Sequence, residues 1–180
     1  MKILGADTSS VSTGWCIVEN GKIEKTGVIR PLDKLAPLYK NKTEAKANVD
    51  EQDILRVIAS EMSKLLTRHE VDRLVVEDCY LGKNVRTLQL LARLSGAILW
   101  DWLQRAPDQR KALIISAASA RKMVGCKGNA KKPEVVSFVR YRYGSEAEDD
   151  NVADGIVLAM AGWETFKGKS RRGGSHGNRI

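Results

Sequence analysis

MKILGADTSSVSTGWCIVENGKI, residues 1–23, decides the fold. The short apolar run at residues 2–6 and the longer one at 14–19 read as strands. Asn20-Gly21 between two apolar runs is a two-residue hairpin signal, because both positions tolerate positive φ. Residues 22–30 then continue as a third strand, so the chain opens as a β-meander. The first strand ends in a carboxylate, Asp7, followed by Thr8, Ser9 and Ser10. A carboxylate at the end of a buried strand is costly unless a partner or a metal offsets its charge.

Working outward, residues 31–50 carry two prolines and many polar side chains and read as a loop. Ile54, Val57, Ile58, Met62, Leu65 and Leu66 recur at helical spacing and predict a helix over 50–68. Residues 73–77, RLVVE, read as a buried strand that ends in a second carboxylate, Glu77. A long helix follows over 84–104, then a strand at 111–116 and a short helix at 119–124. Pro133 suits a first helical turn and opens a helix to residue 143. The last helix is predicted over 146–166, with Ser145 and Glu148 as a capping box. Five strands, first antiparallel and then alternating with helices, predict an α/β fold with a mixed central sheet and helices on its faces. One domain over 1–166 and a disordered Gly/Ser/Arg-rich tail over 167–180 account for the chain.

The 180 residues suffice for one full core, with 43% hydrophobic and 29% charged residues. No apolar run reaches the roughly 20 residues that span a bilayer. The start shows no signal-peptide pattern, which predicts a cytoplasmic protein. The three cysteines lie far apart, with no C-x-x-C pair and only two histidines, so the expectation is reduced thiols and no structural zinc. A net charge of +8 favours a polyanionic partner, nucleic acid first. The charge is clustered: residues 121–132 hold five Lys/Arg and no acid, and residues 167–180 hold five more and no acid.

Asp7 and Glu77 both close predicted strands, the edge at which open α/β sheets bind ligands. Asp150 and Asp154 lie four apart on one face of the last helix, together with Glu146. Each acid has an ordinary role open to it: Asp7 as a turn cap, Glu77 in an ion pair, the early acids as favourable charges at a helix N-terminus. Asp154 fits least well, since Val152, Ala153, Ile156 and Val157 surround it with an apolar face. Four carboxylates from distant segments predict one site for hard cations, with Mg²⁺ the natural occupant. The helix at 85–103 carries two apolar stripes, one through Leu88, Leu91, Ser95, Ile98 and Trp102, the other through Leu90, Leu94 and Ala97. One can pack on the sheet; the other asks for cover, from this chain or from a second subunit.

These segments resemble, in order, the motifs of the RuvC family of Holliday-junction resolvases. ILGADTSSVSTGW is similar to the family's first motif, with Thr8 and Ser9 where Pro-Gly often stand. EDCYLGKNVRTLQLLARLSGAI at 77–98 resembles the second, and GNAKKPEVV at 128–136 the glycine- and lysine-bearing stretch. DNVADGIVLAMA at 150–161 resembles the final acidic motif. The resemblance covers residues 1–163 and implies an RNase H-like fold and Mg²⁺-dependent phosphodiester hydrolysis by two ions, with Mn²⁺ able to substitute. It implies Asp7, Glu77 and Asp154 as metal ligands, with Asp150 or Asn151 completing the shell. The family's third acid stands three residues before the last Asp, and here that position is Asn151. Lys132, or alternatively Lys131, would contact the scissile phosphate, and Tyr80 would stack on bases at the branch point. Lys83, Asn84, Arg121, Lys122 and Lys127 complete the implied DNA-binding set. The family's lysine early in the short helix is replaced here by Ala120, with Arg121-Lys122 just after. The implied partners are four-way or branched DNA and a second copy of the chain, packed through helix 85–103, in a bacterial or phage-infected cell.

Three other readings compete. Another RNase H-like nuclease acting on flaps or RNA would use the same acids, and a panel of substrates separates it. An inactive junction-binding protein would bind without cutting. A small ATPase of the actin and sugar-kinase type would need a second glycine-rich phosphate loop and about twice the length, and the sequence has neither.

Overall fold

A computed structural model describes residues 1–79, 84–106, 112–145, 147 and 149–168. Strands β1 (Lys2–Asp7), β2 (Thr13–Glu19) and β3 (Lys22–Ile29) form the expected meander, followed later by β4 (Arg73–Glu77) and β5 (Leu113–Ile115). The sheet order is β3-β2-β1-β4-β5. β1 pairs antiparallel with β2 and parallel with β4, and β5 extends the parallel half. At the first hairpin, Asn20 and Gly21 both adopt positive φ, 51° and 81°, the geometry a type I′ turn demands.

Side chains alternate across the sheet, as period 2 requires. Ile3, Cys16, Val18 and Val75 bury against one set of helices: α5 (Ala117–Met123), α6 (Lys132–Tyr143) and α7 (Asp150–Phe166). Leu4, Ala6, Trp15, Ile17, Leu74 and Val76 bury on the other face, against α3 (Glu51–Arg68) and α4 (Val85–Arg105). α7 crosses β1 and β2 at very short range, and glycine permits it. A Cβ on Gly14 would stand 1.9 Å from the carbonyl oxygen of Asn151, and one on Gly5 would stand 2.3 Å from the backbone nitrogen of Ala159. Gly14 pairs directly with Asp7. The close approach therefore brings the first turns of α7 beside the acid that ends β1.

Three sequence expectations need correction. Residues 31–50 are not a plain loop: they form α1 (Pro31–Leu35), a 3₁₀ turn (Ala36–Leu38) and α2 (Lys42–Asn48). These pieces are too short to display a helical period. α7 begins at Asp150 rather than 146, capped by the Asp149 side chain, which accepts from the Asn151 N–H. Neither stripe read on the long helix is its open face. Leu90, Leu94, Ser95, Ile98 and Trp102 are all buried, because α4 packs on α3 and shares a core with one face of the sheet. The face left open carries Val85, Ala92, Gly96, Trp100 and Leu103 instead. Glu146, Glu148, and all of the predicted tail beyond residue 168 lie outside the described residues.

Candidate active site

β1 and β4 run parallel with Ala6 opposite Val76, so the next residues, Asp7 and Glu77, leave the sheet side by side. Their carboxyl groups hydrogen-bond to each other. Burial pushes the Asp7 carboxyl up to about 9; the bond to Glu77, the charge of Glu77 and the charge of Asp154 push the same way, and only Lys132 opposes them. Two carboxyl groups at this range cannot both ionise at low cost, and the cost falls on Asp7.

Asp154 stands in the second turn of α7. Arg121, from α5, donates from Nη2 to Asp154 Oδ1 at 2.8 Å and from Nη1 to the Ala130 carbonyl at 3.1 Å. Both side chains are largely enclosed, at 15% and 13% exposure. The Arg121 Nε is buried without a hydrogen-bond partner. Asp150, one turn earlier, is held by Lys132 Nζ at 2.5 Å from Oδ2. That bond holds the Asp150 carboxyl below its ordinary range and Lys132 above its own. Asn151 donates through Nδ2 to Ser12 Oγ at 3.2 Å and to Asp149 Oδ1 at 2.8 Å. Its amide thus ties α7 to the hydroxyl-rich turn after β1. Thr13, fully buried, braces that turn by donating to the Ser9 carbonyl at 2.7 Å and accepting from the Ser9 N–H at 3.1 Å.

The four predicted acids are thus partly gathered. Asp7 and Glu77 touch, and Asp154 lies within electrostatic reach of Asp7. Among the described residues, however, no three acidic, thiol or imidazole groups converge as one ion-holding cluster. The reason is local: Arg121 holds Asp154 and Lys132 holds Asp150. The donor set is all oxygen and suits a hard divalent cation. The proton on Asp7, the guanidinium on Asp154 and the ammonium on Asp150 are monovalent charges that such a cation would replace.

Behind the acid pair lies a polar contact that sequence reasoning missed. Ser95 of α4 meets Thr8 Oγ1 at 3.3 Å and Cys79 Sγ at 3.4 Å. One buried hydroxyl therefore touches the segments just beyond both acid-bearing strand ends. Its signal in the sequence was a lone serine within an apolar helical stripe. Asp149 was also missed as a partner; it pairs with Arg30 across the mouth of the site.

The predicted DNA-binding residues divide. Lys122, Lys127, Lys131 and Lys132 are exposed. Arg121 is not a surface cation, because its fork is spent on Asp154 and Ala130. Asn84 caps α4, accepting from the Arg86 N–H at 2.9 Å. Tyr80 and Lys83 lie outside the described residues. No described helix is long and apolar enough to cross a membrane.

The family model described as crossover junction endodeoxyribonuclease RuvC matches residues 3–162. A RuvC from Campylobacter curvus is 27% identical over 162 residues, covering 89% of this chain and 94% of its own. One from Carboxydothermus hydrogenoformans is 24% identical over 169 residues, covering 91% and 96%. The Thermus thermophilus RuvC structure superposes with a TM-score of 0.70 at 16% identity, over 94% of this chain and 97% of that one. The same protein in complex with a Holliday junction substrate gives 0.67 at 15% identity, over 96% and 97%.

Proposed function

The chain belongs to the RuvC family of crossover junction endodeoxyribonucleases, and from that premise we propose that it cuts four-way DNA junctions by hydrolysing phosphodiester bonds beside Asp7 and Glu77. The observation that carries this reading is the contact between those two carboxyl groups at the open edge of the parallel strands, one of them pushed up to about 9 by burial and by its acidic neighbours. Such a pair binds a proton tightly for the same reason that it would bind a divalent ion.

Mg²⁺, or Mn²⁺ in its place, as two ions per site, would supply charge neutralisation at the phosphate and an acidified water. Asp7, Glu77 and Asp154 would hold the ions, with Asp150 completing the set, and Lys132, now on Asp150, would be the side chain to meet the scissile phosphate. Asn151, occupied by Ser12 and Asp149, serves to fix the start of α7. Arg121 sets the direction of Asp154. Because its second donor reaches Ala130, it also positions the backbone just ahead of Lys132. The cations at Lys122, Lys127 and Lys131 take neighbouring phosphates, and Tyr80 and Lys83 follow Glu77 closely enough in sequence to reach the branch point.

A four-way junction has two strands to cut, and a homodimer supplies two sites related by a two-fold axis. The open face of α4 supports this assembly: Val85, Ala92, Gly96, Trp100 and Leu103 form a stripe with small residues at its centre and exposed apolar side chains around them. The place of action is the cytoplasm of a bacterial or phage-infected cell, where such junctions arise.

The test is incubation of wild type and Asp7→Asn with a synthetic four-way junction and Mg²⁺, beside linear, flap and RNA substrates. Symmetric nicks in the junction by wild type, and binding without nicks by the variant, are expected. Equal cutting by the two proteins overturns the assignment. Binding without cutting by wild type marks a junction-binding protein instead.

A further inference from the structure

We propose that the groove between α6 and the start of α7 carries the phosphodiester backbone of the strand flanking the cut, with Arg140 holding its far end. This rests on the nuclease reading above and extends it along the substrate. The groove, about 560 Å³, is lined by Lys132, Pro133, Val136, Ser137, Asp149 and Asp150. Two carboxylates in a groove would ordinarily repel a polyanion. Here both are already paired, Asp150 with Lys132 and Asp149 with Arg30, so the groove itself is close to neutral.

The next turn of α6 supplies the net positive charge. Positions 133, 136, 137 and 140 recur at the spacing of one helical face, so Arg140 is the next side chain beyond the groove. It is exposed. Among the described residues no carboxylate stands within ion-pair distance of it, whereas the other cations bordering the groove are engaged. A guanidinium without a carboxylate partner among the described residues, at the end of a neutralised channel, fits a phosphate, which it can grip with two N–H donors. Eight residues separate Lys132 from Arg140, about 12 Å along the helix axis at 1.5 Å per residue. Duplex DNA rises about 3.4 Å per nucleotide step along its axis, and neighbouring phosphates of one strand, which winds around that axis, stand nearly twice as far apart. Arg140 therefore meets the phosphate roughly two to four nucleotides from the one at Lys132.

The experiment first maps the cut made by wild type in Mg²⁺. Junction binding is then measured without divalent ions, over a range of salt, for wild type, Arg140→Ala and Arg142→Ala. Each is tested on junctions bearing a neutral methylphosphonate two, three or four nucleotides from the cut on either side. Arg142 is the control, because it sits about 200° around the helix from Arg140. Arg140→Ala should lower the slope of log affinity against log salt by about 0.9 for each protomer bound to the junction, as loss of one phosphate contact per protomer requires, while Arg142→Ala leaves it unchanged. One of the neutral phosphates should weaken wild type roughly tenfold and leave Arg140→Ala unaffected. Equal slopes for the two variants, or equal sensitivity of wild type and Arg140→Ala to every neutral phosphate, overturn the assignment. If wild type cuts the junction but ignores all the neutral phosphates, only this assignment fails. If wild type makes no cut, the nuclease reading fails and takes this one with it.

Discussion

Arg121 and Asp154 form an enclosed ion pair, 2.8 Å from Nη2 to Oδ1, inside a site whose chemistry calls for a metal. Breaking a buried pair by removing one partner leaves the other charged and desolvated, at a cost of about 3 kcal/mol. Arg121→Met should therefore lower the denaturation free energy by about that much in EDTA. A divalent ion that binds Asp154 takes over the charge, so the gap between variant and wild type should narrow as Mg²⁺ is added. Urea titrations at several Mg²⁺ concentrations measure it. A gap indifferent to Mg²⁺ would separate Asp154 from the metal site.

The Asp7 carboxyl is raised from 3.8 to about 9 in the folded protein. Between those values the folded state holds a proton that the unfolded state has released. Stability from this group is full below about pH 4 and is lost as pH rises towards 9, at most about 1.4 kcal/mol per pH unit. In EDTA, wild type should lose stability from pH 5 to pH 9 relative to Asp7→Asn, which carries no titrating carboxyl there. Parallel pH profiles for the two proteins would contradict the raised Asp7 carboxyl. The same linkage requires Mg²⁺ to displace a proton at pH 7, and calorimetry in two buffers of different ionisation enthalpy would reveal it.

Most of this architecture was legible because the sheet obeys period 2 and its strands end in acids. Ile3 and Val75 face one layer while Leu4, Leu74 and Val76 face the other, and the acid pair follows from the parallel register of β1 and β4. What sequence could not show is which cation goes where. Five of them crowd residues 121–132, and only the packing of α5 on α7 selects Arg121 for Asp154. The start of α7 was misplaced for a related reason. Ser145 and Glu148 spell a capping box, yet the Asp149 side chain makes the cap. On α4, periodicity identified apolar stripes correctly, but the helix buries two faces, so the exposed one is the stripe marked by small residues.

Gly14 offers a test of how α7 is seated. An alanine Cβ there would fall 1.9 Å from the Asn151 carbonyl oxygen and 2.2 Å from its carbon, both backbone atoms. No rotamer change relieves such a clash, so α7 must shift away from β2. Gly14→Ala should cost at least the about 1–3 kcal/mol typical of overpacking. It should also weaken Mg²⁺ binding, because Asp154 moves with the helix. Gly168→Ala, with nothing within 4 Å of the new Cβ, is the matched control for fold stability. If Gly14→Ala were as stable as Gly168→Ala, the close seating of α7 on β2 would be wrong.

Trp100 tests the assembly. Its side chain is 66% exposed on α4, although α4 buries Trp102 almost completely two residues later. An indole left in water on a stripe with Ala92, Gly96 and Leu103 loses apolar burial that a second copy of α4 would restore. Trp100→Glu places like charges opposite each other across a two-fold interface while touching little within the subunit. Analytical ultracentrifugation should show a dimer for wild type and a monomer for the variant, with unfolding midpoints within a few degrees once both are compared at low concentration. Junction cutting then separates assembly from chemistry: the monomer keeps every acid of the site, so it should nick one strand per binding event rather than two in concert. Paired nicks from a monomeric Trp100→Glu would show that two-fold symmetry on this face is not what coordinates the cuts.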